Sequence, residues 1–448
     1  MADAVVRDKE MVPPPSKETL GTIQLRHHDT NQVILVPTPS RDPNDPLNWP
    51  LPQKQYLFGL ICTGVFLVNF AAVGPSVALE QITIDYFGDG PDLMDNLSNK
   101  VSYLQTACSL MIGVGNLIWV PLAIKYGRRP VYIASFLLMT GTCIWCGVST
   151  SFTSGLVARL LLGTACAAPE IVAPLTLTDL FFLHERGRVM VIYTCALSCG
   201  AGAGVVIAGL ITMHHTWRTF YWVSTALIGF VTVLVILSFP ETGFKRQETI
   251  DRFGALDGPH ITEPVKPSAE HAEEVVSVPE TDLPPKKTWL QSLRIFTTTY
   301  TDESLPLMIF RTIIALALPA VFWATLINSI TIGMIVVLSS NFSTAFSTID
   351  GFKPWQSGLT FIASIIGSLI AIFTGGHLSD WVADRLTVKN GGVRKPEMRL
   401  PALIVSLITG PLSCILYGVG FGKKLHWICP VFGIGLGEKA VARPGISS

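Results

Sequence analysis

Residues 101–130 read VSYLQTACSLMIGVGNLIWVPLAIKYGRRP. From Val101 to Ala123 no side chain is charged, and then three cations arrive together, Lys125, Arg128 and Arg129. A hydrocarbon core of about 30 Å takes about 20 residues of helix, with every backbone amide satisfied inside the segment. The run is long enough to cross a bilayer, and the cations mark the end that stops in water.

Outward from this segment the same pattern recurs. Apolar runs of spanning length fall near 56–79, 130–148, 155–180, 188–212 and 219–240, and again near 307–339, 356–378 and 401–421, with a short one at 426–437. The chain therefore reads as an all-α membrane protein of about ten helices. A tail at 1–55 precedes a first bundle of six helices at 56–240. A polar interval at 241–306, rich in Glu, Pro, Lys, Thr and Ser, reads as a disordered linker. An incomplete second bundle follows at 307–437, then a polar tail at 438–448. With 49% of residues hydrophobic and 14% charged in 448 residues, the chain departs from soluble domains in both respects. The formal net charge is zero and the cations lie in short clusters, so no nucleic-acid face is expected. The nine cysteines form no metal or disulfide framework. Cys143 and Cys146 make a CxxC inside an apolar run and read as buried thiols.

Cations concentrate on cytoplasmic loops of membrane proteins. With the N-terminus inside, the cytoplasmic loops hold Lys125, Arg128, Arg129, Arg186, Arg188, Arg385, Lys389, Arg394, Lys395 and Arg399. The other side keeps Lys100, Arg218, Lys353, Lys423 and Lys424. Two N-x-S/T sequons, at Asn96 and Asn341, fall in loops this reading places outside, where glycans are added.

Matched loops also relate the two halves. GNLIWVPLAIKYGRRP (115–130) and TGGHLSDWVADRL (374–386) each join glycines to a short charged loop. Lys125, Arg128 and Arg129 in one, and Asp380, Asp384 and Arg385 in the other, can pair with helix ends and latch one conformation. Two halves rocking about a central site need such a releasable latch.

These segments resemble the major facilitator superfamily, specifically fungal drug:proton antiporters and polyamine or organic-cation permeases. The resemblance rests on an ordered set: DPNDPLNWP (42–50), WVPLAIKYGRRP, APEIVAPLTLTDLFFLHERG (168–187), WRTFYW (217–222), FPET (239–242), LSDWVADRL and RKPEMRLPAL (394–403). It implies a major facilitator fold of two pseudo-symmetric six-helix bundles, a cavity open to one side at a time, and exchange of small organic solutes against protons. Two positions depart from the family pattern. Val205 stands in CGAGAGVVIAG (199–209) where the antiporter motif has Pro, and the first charged loop is apolar up to Lys125 where the family has an Asp. That loop must find its acceptors elsewhere.

A charge at the bilayer centre costs about 2.5–3.5 kcal/mol even on the permissive scale, so Glu170, in the middle of the fourth span after Pro169, is the first functional candidate. Burial disfavours its ionised form and an entering ammonium favours it, so proton and cationic substrate would compete there. Its alternative is a structural Glu bonded to a neighbouring helix. Arg159 lies eleven residues earlier, about 16 Å along the axis on nearly the same face. It resembles the family's helix-4 Arg, thought to assist proton transfer, or it snorkels to the outer interface. Asn69 and Asn328 are polar groups at depth, for substrate or for interhelical bonds. Phe66, Phe70, Tyr193, Phe322 and Trp323 offer an aromatic wall to a cation, though most read as packing residues, with Trp323 retained as a site residue.

After CPVFGIGLG (429–437) the chain turns to EKAVARPGISS, which no span would contain, so the reading expects a C-terminally truncated relative lacking the last two helices. A transporter on the plasma membrane, rather than the vacuolar one, monomeric and without cofactor or metal, is the expected function. A sensor that keeps the fold without flux is the alternative. No nucleophile with a base, histidine-rich metal site or phosphate loop suggests an enzyme.

Overall fold

The computed structural model describes residues 37, 39–245, 285–296, 299–370, 385–386 and 403–441. All elements of regular length are helices. The first, α1, consists of Leu51–Val73 and Leu79–Phe87 joined by a 3-10 turn at Gly74–Ala78. It starts where Pro50 and Pro52 pre-set the helical φ and breaks where Pro75 cannot donate to the residue four before it. Then come α2 (Ser102–Tyr126), α3 (Arg128–Val148), α4 (Phe152–Leu180), α5 (Leu183–Ile211) and α6 (Trp217–Ser238). Ser151 caps α4 by accepting a bond from the Ser154 N–H, which satisfies one orphan donor of its first turn.

The second half begins with α7, in two pieces, Leu305–Ala315 and Pro319–Asp350. The chain bends by 81° between them, because Pro319 starts a new helix and holds Leu318 extended. The α8 helix opens at Pro354–Thr360 and is helical again over 362–370; α9 (Leu403–Gly422) and α10 (Ile428–Val441) close the series. Among the described residues, six helices are long and apolar enough to cross a membrane, and seven if the bent pair counts as one span. The expected eighth span extends beyond its described part.

The first bundle packs α2 on α4, α1 on α5, and α3 on both α4 and α6. Its core holds Phe70, Phe136, Leu162, Leu177 and Phe220, all nearly inaccessible. Leu110, Phe230 and Leu237 are exposed instead, which is the expected position for apolar side chains whose solvent is lipid.

Several expectations need correction. The first 55 residues are not all tail: α1 starts at Leu51, and Ser40–Trp49 forms a folded turn. Asp45 accepts from the Ser40 N–H at 3.1 Å and the Leu47 N–H at 3.0 Å, while Asn48 donates to the carbonyls of Ser40 and Asp42. The linker is not free throughout, because its last part, 285–296 and 299–304, makes specific bonds to the first bundle. The helix of α10 runs past 437 to Val441, since helix formers continue through Glu438, Lys439 and Ala440. Asn341 lies inside α7 rather than in a loop, its amide donating to the Val337 carbonyl at 3.1 Å.

The halves meet at the end of the bundle that carries the α1 break. There α5 crosses α8 so closely that a Cβ on Gly209 would lie 3.2 Å from Gly358 Cα, and Ser343 of α7 donates to the Val77 carbonyl at 3.2 Å.

Candidate functional site

Along α4, residues 159, 163, 166 and 170 share one stripe, since steps of four and three return to the same face. That stripe looks at α1 and α2. A Cβ added to Gly163 would collide with the Cys108 carbonyl, and Cys166 faces the Val68 carbonyl.

Arg159 is 2% exposed, which overturns the snorkelling alternative. Its guanidinium donates to the carbonyls of Ala71 at 3.4 Å and Ala72 at 3.2 Å, and to Gln105 Oε1 at 2.8 Å. The sequence explains why. Pro75 removes the N–H that would have paired with Ala71, and the 3-10 turn diverts the next one, so two carbonyls lose their helical partners inside the membrane. Orphaned groups there are costly, and the planar fork of an Arg can serve several at once.

Glu170 uses the same logic with a different outcome. Pro174 orphans the Glu170 main-chain carbonyl, and Tyr193 of α5 donates its hydroxyl to it at 2.7 Å. The residue is partly buried. Among the described residues no hydrogen bond or ion pair is made to it. The local backbone is therefore fixed while the acidic group is left available.

Other candidates separate. Asn69 is 9% exposed and turns back on its own helix, donating to Val65 at 3.3 Å. The Asn328 side chain lies outside the described residues. Trp323 is 64% exposed on α7, while Phe66 stacks on Phe70, and Phe70 on the buried Phe220. Tyr193 is buried and Phe322 exposed.

At the opposite end of α4 lies a charged cluster built around Gly127, between α2 and α3, with φ +98°. A Cβ at Gly127 would overlap the Glu241 carboxylate. That carboxylate accepts from the main-chain N–H groups of Arg128 at 2.8 Å, Arg129 at 3.1 Å and Gly243 at 2.8 Å. An anion at the start of α3 is also favoured by the helix dipole. Arg128 pairs with Asp179 at 3.1 Å; Arg129 donates to the Phe239 carbonyl and, at 2.8 Å, to that of Ile236. Lys125 donates to the Glu303 carbonyl at 2.8 Å. Burial holds the Glu241 carboxyl above its ordinary range, although the three N–H donors and Arg128 oppose the shift.

These are the acceptors that the sequence reading left unassigned. Asp179, Glu241 and Glu303 were missed as site residues. The first two sit in quoted motifs, TLTDL and FPET, so their signal was charge beside a span end. In the other loop Asp380 and Asp384 lie outside the described residues, and Arg385 is helical and exposed. Asn96 is half-exposed in a single helical turn and accepts from Lys100 at 2.8 Å. Among the described residues no three metal-ligating side chains converge.

Comparisons with known proteins agree with this architecture. An uncharacterized MFS-type transporter of Schizosaccharomyces pombe is 24% identical over 438 residues, covering 90% of this chain and 73% of the relative. The MFS transporter fsa7 of a Fusarium species is 25% identical over 436 residues, covering 96% and 78%. Protein HOL1 of Saccharomyces cerevisiae is 24% identical over 460 residues, covering 90% and 76%. Among solved structures, the proton:xylose symporter XylE superposes with a TM-score of 0.54 at 10% identity, covering 89% of this chain and 81% of that one. The sequence model of the Major Facilitator Superfamily matches residues 59–441. The chain belongs to the major facilitator superfamily, whose members are membrane transporters of small solutes and not enzymes.

Proposed function

We propose that this transporter couples movement of small cationic or amphiphilic organic compounds to protons, with Glu170 as the group for which proton and substrate compete. The observation that carries the reading is a partly buried glutamate near the middle of a membrane helix, whose carboxylate has no partner among the described residues. Such a group is expensive to keep, and a structural role would have given it one. Arg159 supports the site by holding α1 in its broken form, so it positions the outer end of the pathway. Asn69 of α1 and Asn328 and Trp323 of α7 are the further substrate contacts of this proposal; Asn69 would have to exchange its bond to the Val65 carbonyl for one to substrate. The cations of the α2–α3 turn lie at the end of the first bundle opposite the α1 break, which supports a cytoplasmic N-terminus; a plasma-membrane location and a monomeric state belong to the same proposal.

The test is flux in proteoliposomes of an aromatic monocation and a linear polyamine, with and without an imposed pH gradient. Glu170→Gln is expected to abolish the response to the gradient while leaving the protein folded. Gradient-driven flux that is unchanged in this variant overturns the reading.

A further inference from the structure

The distal linker ties the second half to the first in a way that neither charged loop explains. Its first anchor is Asn44, whose carboxamide donates to the Pro285 carbonyl at 3.2 Å and accepts from the Lys287 N–H at 2.8 Å. One side chain thus pairs with alternate backbone groups on one edge of the linker, as a neighbouring strand would. Asn44 is itself prepositioned, because Asp42 Oδ1 accepts both its main-chain and its side-chain N–H at 2.8 Å.

Beyond that anchor, Thr288 and Gln291 cap a single helical turn, Trp289–Ser292, and Phe296 meets the edge of Tyr126 at the end of α2. The Tyr300 N–H then donates to the Lys125 carbonyl at 2.9 Å, and its ring lies against Gly243, where an added Cβ would come within 2.9 Å of Tyr300 Cζ. Lys125 returns the contact through its ammonium to the Glu303 carbonyl. Glu303 in turn pairs with Arg311 in the first piece of α7 at 2.5 Å. The chain of contacts runs from the N-terminal turn through the α2–α3 turn into α7.

We propose that residues 285–296 and 299–303 act as a cytoplasmic strap, which fastens α7 to the α2–α3 turn while the halves touch at their outer ends and must release Lys125 when those ends part. The argument is geometric. The strap bridges the two halves at the end opposite the Gly209–Gly358 contact, so rocking that opens one end must change the distance spanned at the other. Contacts made in one state and lost in the other bias the equilibrium towards the first. The strap also supplies the Lys125 ammonium with one acceptor, the Glu303 carbonyl, in a chain that lacks the acidic residue before it. This inference rests on the reading that the protein alternates between two states, and not on which solute it carries.

The experiment has two arms. In the first, Ser343→Cys reports opening of the outer contact to a membrane-impermeant maleimide, with the parent protein giving the background of its native cysteines. Combining Asn44→Ala with Lys125→Met is expected to raise labelling about two- to fivefold, the range that loss of contacts as weak as exposed ion pairs or single hydrogen bonds produces. Unchanged labelling overturns the proposal. In the second arm, Lys125→Cys with Tyr300→Cys is oxidised, their main-chain bond placing them for a disulfide of about 4.4–6.8 Å between Cα atoms. The cross-link is expected to suppress outer labelling of Ser343→Cys, and reduction to restore it. A cross-linked protein whose outer contact opens as readily as the reduced one overturns the strap. Both arms read conformation rather than flux, so a failed transport reading leaves them interpretable.

Discussion

Replacing Arg159 by Leu removes three contacts that reach other helices, to Ala71, Ala72 and Gln105. Interhelical hydrogen bonds in membranes average about 0.6 kcal/mol and reach about 1.7. The 3.4 Å contact to Ala71 is too long to count fully, so two bonds remain and the expected loss is about 1–3 kcal/mol. Thermal unfolding in detergent, followed by intrinsic fluorescence, should show a midpoint lower by several degrees. The informative comparison is Arg159→Lys. A positive charge serving a proton would survive that change. The capping role would not, because one ammonium on a flexible stem lacks the fixed fork that reaches α1 and α2 together. Arg159→Lys should therefore lose nearly as much stability as Arg159→Leu. Gln105→Leu should be strongly non-additive with either, since both changes break one bond. A Lys variant as stable as the parent, or additive effects with Gln105→Leu, would refute the capping argument.

Three other outcomes follow from the charged cluster at the α2–α3 turn and from the sequons. Because burial holds the Glu241 carboxyl above its ordinary range, the folded chain binds this proton more tightly than the unfolded one. Its contribution to stability is therefore full below the unfolded pKa of about 4.3 and is lost as pH rises through the folded value. Unfolding midpoints should show that downward component with rising pH, and Glu241→Gln should remove it. Gly127→Ala forces a side chain into positive φ and against the Glu241 carboxylate; strain of about 1–3 kcal/mol plus the overlap should depress the midpoint by more than Arg159→Leu does, measured in the same assay. On expression in a glycosylating host, any glycan-dependent mobility shift should disappear with Asn96→Gln and persist with Asn341→Gln, because Asn341 is held inside α7.

The helical fold was legible because bilayer thickness imposes one length on every span, and apolar runs announce it without any knowledge of packing. The local breaks were less so. Proline at 75, 169 and 174 is visible in the sequence, but which donor repairs each orphaned carbonyl depends on neighbours far away along the chain. Arg159 is 87 residues from Ala72, and Tyr193 is 23 from Glu170. The Arg was therefore recognised as unusual while its role stayed open. The acceptors for Lys125, Arg128 and Arg129 were harder still. Glu241 and Glu303 lie at the two ends of a polar interval whose composition reads as disorder, and composition averages over the few residues that bind.

Helix α4 gathers these features into one element. Arg159, Glu170 and Asp179 lie along it at intervals of about 16 and 13 Å for a rise of 1.5 Å per residue. Arg159 is committed to the break in α1, and Asp179 to Arg128 in the charged cluster at the α2–α3 turn. Changing the partner of either end group would dismantle a helix junction that the first bundle needs. Glu170 differs, since its main-chain carbonyl is served by Tyr193 while its carboxylate is bonded to none of the described residues. Its protonation or pairing can therefore change without breaking either junction. The proton coupling proposed for this chain needs that combination, a group free to exchange its partner on an element whose ends are tied to the α1 break and to the α2–α3 cluster.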